Sequence, residues 1–291
     1  MSIFDIAPQP EKQGLTSTLE GVDASGAPVS LPVVTERPVT IFLNSQEVVT
    51  AMCLGDHIPE LAAGFLFNQN MLRADDEITS IDYEPDIDVC VVRTERQTDY
   101  EAKMKKRIRT SGCAQGTIFG DIMDRFSEIS LKQSTRLKVS QLMALSQQIN
   151  TAPSLYLSAG AIHGCVLCQA DRPLIYVEDI GRHNAADKIA GHMLLGGITG
   201  EDKIFYTTGR LTSEMVIKTV MMNIPILISR SGFTEAGVRL ARDAGLTLIG
   251  RAKGRRFVAL SGVERIIFDH EQDVTDDAEV SSAQRRLYDE G

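Results

Sequence analysis

The sequence predicts an α/β protein in two parts: a small α+β unit, then a larger domain of alternating strands and helices. Three observations lead there. Apolar runs at 174–177, 204–207, 224–229 and 246–249 alternate with amphipathic stretches, the pattern of a largely parallel sheet covered by helices on both faces. Before residue 136 the pattern is different, with short strand pairs around a single strong helix. Two of the later strands run into polar, glycine-containing turns that open helices. In open α/β sheets that is where backbone N–H groups and helix dipoles meet an anionic ligand.

Residues 1–35 have little periodicity and contain Pro8, Pro10, Pro28 and Pro32, which predicts a loose arm or an edge strand. Residues 36–135 form the small unit. Strands at 39–43 and 48–52 make a hairpin through Asn44-Ser45-Gln46. Asp56 is placed to cap the next helix, Pro59 and Glu60 suit its first turn, Leu61, Phe65 and Leu66 form its inner face, and it ends near Leu72. Further strands are expected at 78–83 and 87–92. Residues 109–117 read as an exposed loop with Gly112 and Gly116 near Cys113.

Residues 136–262 form the larger domain. Ser140 can cap a short helix that ends before Pro153. Strands are expected at 155–159, 162–168 and 174–177, then a helix after the polar turn with Ile189 and Met193 on one face, and then strand–helix units to 249, with Thr234 capping the last helix and 257–260 pairing beyond. Residues 263–291 carry nine acidic and three basic residues and read as an acidic tail.

The 291 residues carry a formal charge of −9, with 43% hydrophobic and 24% charged residues, ordinary for a globular protein. No apolar run approaches the roughly 18–20 residues that span a bilayer, and the N-terminus lacks the regions of a signal peptide, so a cytoplasmic protein is expected, with no membrane and no nucleic-acid partner. Its five cysteines, Cys53, Cys90, Cys113, Cys165 and Cys168, form no evident disulfide framework. Two segments are locally basic: Lys103 to Arg109, and the run Arg251, Ala252, Lys253, Gly254, Arg255, Arg256. Basic patches flanking a pocket favour an anionic ligand.

Cys113 is the sharpest single candidate for chemistry. Five basic residues lie within ten positions upstream, positive charge favours the thiolate, and the apolar neighbours of a buried thiol are missing. His163, Cys165 and Cys168 offer ligand types suited to zinc, or the spacing of a redox dithiol. In a strand, however, Cys165 and Cys168 point to opposite faces, and two core thiols is the simpler reading. His183, in the turn Glu178-Asp179-Ile180-Gly181-Arg182-His183-Asn184-Ala185-Ala186-Asp187-Lys188, can donate to a phosphate or a base edge. The 251–256 loop can cradle phosphate through N–H and guanidinium groups. No Walker A or G-x-G-x-x-G sequence is present.

Together these pieces resemble the formate dehydrogenase accessory sulfurtransferase family, FdhD. The likeness runs from about Glu36 to Leu260, through Glu36-Arg37-Pro38-Val39, Pro59-Glu60-Leu61-Ala62-Ala63-Gly64-Phe65, Ser111-Gly112-Cys113, the 178–188 stretch (its most specific part), Ser213-Glu214-Met215-Val216 and residues 250–257. The resemblance implies a cytidine deaminase-like three-layer α/β domain and a homodimer. It implies that sulfur passes as a persulfide from a cysteine desulfurase to a molybdenum (or tungsten) bis-guanine-dinucleotide pterin cofactor, a bound substrate with no permanent cofactor or metal, for formate dehydrogenase. Cys113 matches the persulfide carrier and Arg251 to Arg256 the loop that holds the pterin dinucleotide, with His183 beside it. The family usually has Cys-x-x-Cys in the loop; here Gly116 holds the second position. Two alternatives are a non-catalytic chaperone of the cofactor and a deaminase-type zinc hydrolase. The second would lack its shuttling glutamate, since Cys165 stands there.

Overall fold

The computed structural model describes residues 4–96, 107–109 and 117–269. The chain enters along an edge of the main sheet, where the Asp5 and Ile6 N–H groups donate to the Leu174 carbonyl at 2.8 and 3.1 Å. The expected arm contains a hairpin of β1 (Thr16–Val22) and β2 (Pro28–Val34). The Asp23 carboxylate shapes its turn by accepting from the Ser25 and Ala27 N–H groups at 2.8 and 3.0 Å. The prolines obscured this strand pair, but a two-stranded ribbon leaves outward-facing positions that need no N–H.

β3 (Arg37–Leu43) and β4 (Gln46–Cys53) form the expected hairpin, followed by α1 (Ile58–Asn68), β5 (Ile78–Glu84) and β6 (Val89–Thr94). The sheet order is β4-β3-β6-β5, with β3 parallel to β6. Asp56 does not cap α1. His57 takes the cap position without a side-chain cap bond, and the Asp56 carboxylate accepts from Lys188 instead. The helix stops at Asn68, short of Leu72, and Phe65 is only half-buried. β7 (Arg107–Arg109) and β8 (Thr117–Phe119) pair antiparallel with Arg109 opposite Thr117, and α2 (Gly120–Glu128) follows. Residues 110–116, with Cys113, lie outside the described residues.

β9 (Leu137–Lys138) leads into α3 (Val139–Thr151), whose entry is held by Gln141 Oε1 accepting the Lys138 N–H at 3.0 Å. Ser140, the expected cap, instead donates its N–H to Asp269 Oδ1 at 3.0 Å. The strand expected at 155–159 is a one-turn helix, α4 (Leu155–Ala159). The cause is distant in sequence. The Leu155 and Tyr156 N–H groups donate to the Glu178 carboxylate at 2.8 and 3.3 Å, which satisfies a helix N-terminus.

The main sheet has six strands in the order β11-β10-β12-β13-β14-β15. They are β10 (His163–Gln169), β11 (Arg172–Asp179), β12 (Lys203–Thr207), β13 (Ile226–Ser229), β14 (Thr247–Lys253) and β15 (Arg256–Ser261). Between them lie α5 (Arg182–Leu195), α6 (Ser213–Met221) and α7 (Glu235–Asp243), the last capped as expected by Thr234, which accepts the Gly237 N–H at 3.2 Å. Only β12, β13 and β14 run parallel, so the expected largely parallel sheet is mixed. β10–β11 and β14–β15 are joined by two-residue links, too short for a parallel crossover.

The sheet is the middle of three layers. Cys165, Leu167, Phe205, Leu227 and Leu248 pack with α1, α5 and α6 on one face, in a core that also takes in Val39, Ile41 and Leu43 of the small sheet. Val166, Cys168, Tyr206, Ile228 and Ile249 pack with Leu142, Leu145 and Ile149 of α3 on the other. The start of the expected acidic tail is structured. β16 (Ile266–Ile267) pairs parallel with β9, and the fully buried Arg265 donates to the Gly245 and Lys132 carbonyls at 2.8 and 3.2 Å. Residues 270–291 lie outside the described residues.

Candidate functional site

The 178–188 stretch holds the two sheets together. Asp179 is fully buried at the end of β11. Its Oδ2 accepts the Leu54 N–H at 3.1 Å, and its Oδ1 accepts the Gly181 N–H at 3.0 Å and Asn184 Nδ2 at 2.9 Å. Asn184 also donates to the Met52 carbonyl at 2.7 Å. Lys188, one turn further along α5, is fully buried; its Nζ reaches Asp179 Oδ2 at 2.8 Å, the Glu178 carbonyl at 2.9 Å and the Asp56 carboxylate. Burial opposes charge on Lys188, but Asp179 and Asp56 outweigh it and raise its pKa. Asp187 meets Lys218 of α6 at 2.6 Å and Asn68 of α1 at 2.7 Å. The most specific motif of the chain therefore spends most of its polar side chains on joining loop, helix and sheet.

Beside it a basic ledge runs along the ends of β11, β12, β13 and β14. The two polar crests belong to β11 and β12, which are not hydrogen-bonded neighbours, since β10 lies between them. They meet above it. Arg182 lies across Gly209, where a Cβ would fall 2.8 Å from the Arg182 Cδ. His163 opens β10 beneath them, its Nδ1 3.4 Å from Thr208 Oγ1. A cavity of about 320 Å³ is lined by Tyr156, Ile162, His163, Ile180, Thr208 and Arg230. The Arg230 guanidinium stands 5.6 Å from the centre of the Tyr156 ring, a cation–π contact. Next along the edge, the Arg251 N–H donates to the Ser231 carbonyl at 2.7 Å.

Arg251, Lys253, Gly254, Arg255 and Arg256 are exposed in the β14–β15 hairpin, whereas Ala252 is buried. Arg251 adopts φ 54°, a left-handed conformation that costs a non-glycine residue roughly 1–2 kcal/mol. The ledge thus joins Arg182, Arg210 and Arg230 to the 251–256 loop, and its cations act on the histidines within it. The pKa of His163 is lowered by burial first and then by Arg182 and Arg210. His183, expected beside a ligand, lies underneath. Its Nδ1 is 3.2 Å from Glu214 Oε1, but neither ring nitrogen has a hydrogen-bond partner among the described residues. Burial, then Lys218, Arg182, His163 and Arg210, push its pKa down to about 2, so the ring stays neutral. Arg210 belongs to the polar turn after the expected strand 204–207, whereas Arg230, which directly follows the expected strand 224–229, carries no motif of its own although such sheets gather ligand contacts there.

Cys113 lies outside the described residues. The other four cysteines are fully buried and unpaired. Burial pushes the thiols of Cys53, Cys90 and Cys165 up to about 12 and raises that of Cys168 as well. Cys165 and Cys168 sit in the cores on opposite faces of β10, so they form neither a dithiol nor, with His163, a zinc site.

A mixed sheet between two helical layers, keyed to a smaller sheet by buried charges, defines the class: a three-layer α/β protein with cations gathered at its strand ends. The model of the FdhD/NarQ family matches residues 34–267, and the chain belongs to that family. It is 32% identical to the sulfur carrier protein FdhD of Listeria innocua over 80% of this chain and 91% of that one. To the sulfur carrier protein FdhD of Bacillus subtilis it is 31% identical over 80% of this chain and 90% of the relative. Among solved structures, a putative formate dehydrogenase accessory protein from Desulfotalea psychrophila superposes with a TM-score of 0.70 at 28% identity, covering 87% of this chain and 98% of that one. Among the described residues no helix is long and apolar enough to cross a membrane.

Proposed function

We propose that this chain is a sulfurtransferase that carries persulfide sulfur on Cys113 from a cysteine desulfurase to a molybdenum (or tungsten) bis-guanine-dinucleotide pterin cofactor destined for formate dehydrogenase, acting as a homodimer in the cytoplasm. The observation that carries the reading is the basic ledge on a chain of this family. Arg182, Arg210, Arg230 and the 251–256 loop line the ends of neighbouring strands, and a guanine-dinucleotide pterin brings several phosphates to such cations. The ledge arginines and the Arg251 loop would hold those phosphates, and the apolar wall of Ile162, Ile180 and Tyr156 suits a ring.

In the first step the Cys113 thiolate attacks the terminal sulfur of the desulfurase persulfide, and the desulfurase cysteine leaves as thiolate. Release of that sulfur as sulfide requires two electrons. A neighbouring loop thiol would supply them by forming a disulfide, but residue 116 is glycine. Cys53, Cys90, Cys165 and Cys168 are buried with raised pKa values, which removes them as resolving thiolates. An external thiol therefore completes the transfer.

The same absence favours the rival reading, a chaperone that binds the cofactor without sulfur chemistry. Complementation of a strain lacking its own carrier separates the two. Under the transfer reading Cys113→Ala abolishes formate dehydrogenase activity while the variant still binds the cofactor. Full activity with Cys113→Ala would overturn it.

A further inference from the structure

His57, Glu60 and His192 converge away from the ledge. Their potential ligand atoms all lie within 4.8 Å of one another. His192 Nε2 stands 3.1 Å from His57 Nδ1, and His192 Nδ1 stands 3.9 Å from Glu60 Oε1. The cluster is imposed by the fold. His57 and Glu60 are three residues apart at the start of α1 and share a face. His192 is in the last turn of α5, and the two helices cross with their backbones in contact. A Cβ on Gly191 would fall 1.8 Å from the Glu60 carbonyl oxygen, and one on Gly64 would fall 1.8 Å from that of Asp187. Gly191, beside His192, and Gly64, one turn after Glu60, therefore set the separation of the two helices before any ligand arrives. His57 also holds φ 50° and ψ 40°, a left-handed conformation sparsely used by residues with a side chain, which aims its ring at His192.

We propose that His57, Glu60 and His192 form a binding site for a zinc-class divalent cation that clamps α1 to α5. Two imidazoles and one carboxylate suit zinc, whose tetrahedral bonds of about 2.0–2.1 Å set its ligand atoms roughly 3.4 Å apart, and one atom from each of the three residues already lies within 4.8 Å of the others. The Asp56 and Glu60 carboxylates add negative charge against the buried ammonium of Lys188. The Glu60 side chain is 25% exposed, which leaves a route for the ion and room for a water as fourth ligand. The site is separate from His163, Cys165 and Cys168, and no thiol among the described residues contributes to it.

The test is a metal titration of the full-length protein after chelation and dialysis. Zinc sulfate is added against a chromophoric competitor, and cobalt(II) chloride is added in a parallel absorption experiment. One equivalent should bind, with tetrahedral cobalt bands and without a thiolate-to-cobalt charge-transfer band. His192→Gln should weaken binding by more than the roughly 10–100-fold that loss of an outer-shell partner costs. Zinc should raise the thermal midpoint of the native chain and not that of the variant. Glu60→Gln, isosteric and partly exposed, repeats the test if His192→Gln fails to fold. No stoichiometric binding, affinity unchanged in both variants, or a thiolate band on the bound equivalent would overturn the proposal.

Discussion

Lys188 shows what a single buried charge contributes here. With no exposed surface it contacts Asp179 and the Asp56 carboxylate, so it joins β11, the loop before α1 and α5 at one point. Lys188→Met leaves two carboxylates buried without their cation. Removing one partner of a buried pair typically costs about 3–5 kcal/mol, and urea denaturation should register a loss of that size. An unchanged midpoint would mean that the carboxylates find other partners. His183 gives a pH signature. Its folded pKa is depressed from 6.5 to about 2, so below pH 6.5 the unfolded chain binds a proton that the folded chain refuses. Stability is then lost as pH falls, by about 1.4 kcal/mol per unit attributable to this ring. The difference in stability between the native chain and His183→Gln should therefore change between pH 7 and pH 5; parallel curves would show that the ring titrates normally.

Among the elements, the crossing of α1 and α5 is the tightest joint. Gly191→Ala drives a methyl group into the Glu60 carbonyl, which backbone cannot yield as a side chain end can. Overpacking usually costs about 1–3 kcal/mol, and this substitution should reach the top of that range in denaturant melts, with Ala190→Gly as a control that adds no atom at the crossing. At this scale much of the fold was legible. The apolar runs that became β12, β13 and β14, and the Thr234 cap of α7, are local signals. The errors were non-local. Residues 155–159 look apolar enough for a strand and become a helix because the Glu178 carboxylate, 23 positions away, satisfies its N-terminus. Asp56 has the chemistry of a cap and is drawn off by Lys188, 132 positions on. The order β11-β10-β12 rests on pairings that periodicity does not encode.

For the whole molecule, the candidate site was half visible in the sequence. The 251–256 loop and the turn after β11 were marked by their charges, but the role of that turn was inverted. Asp179, Asp187 and Lys188 face inward as structural ties, and the ledge takes its cations from the half-buried Arg182 and Arg230 and the exposed Arg210 as well as from the loop. A pattern of ionisable residues does not say which of them are buried; partners distant in sequence, Asn68 of α1, Lys218 of α6 and the Asp56 loop, decide that. With Cys113 proposed as sulfur carrier beside this ledge and glycine at 116, a lone loop thiol must suffice. Intact-protein mass after incubation with a cysteine desulfurase and cysteine tests that most directly, on the native chain and on Cys113→Ala. The account predicts a gain of one sulfur in the native chain, reversed by dithiothreitol and absent from the variant. No gain in a native chain that still binds the pterin dinucleotide would contradict it.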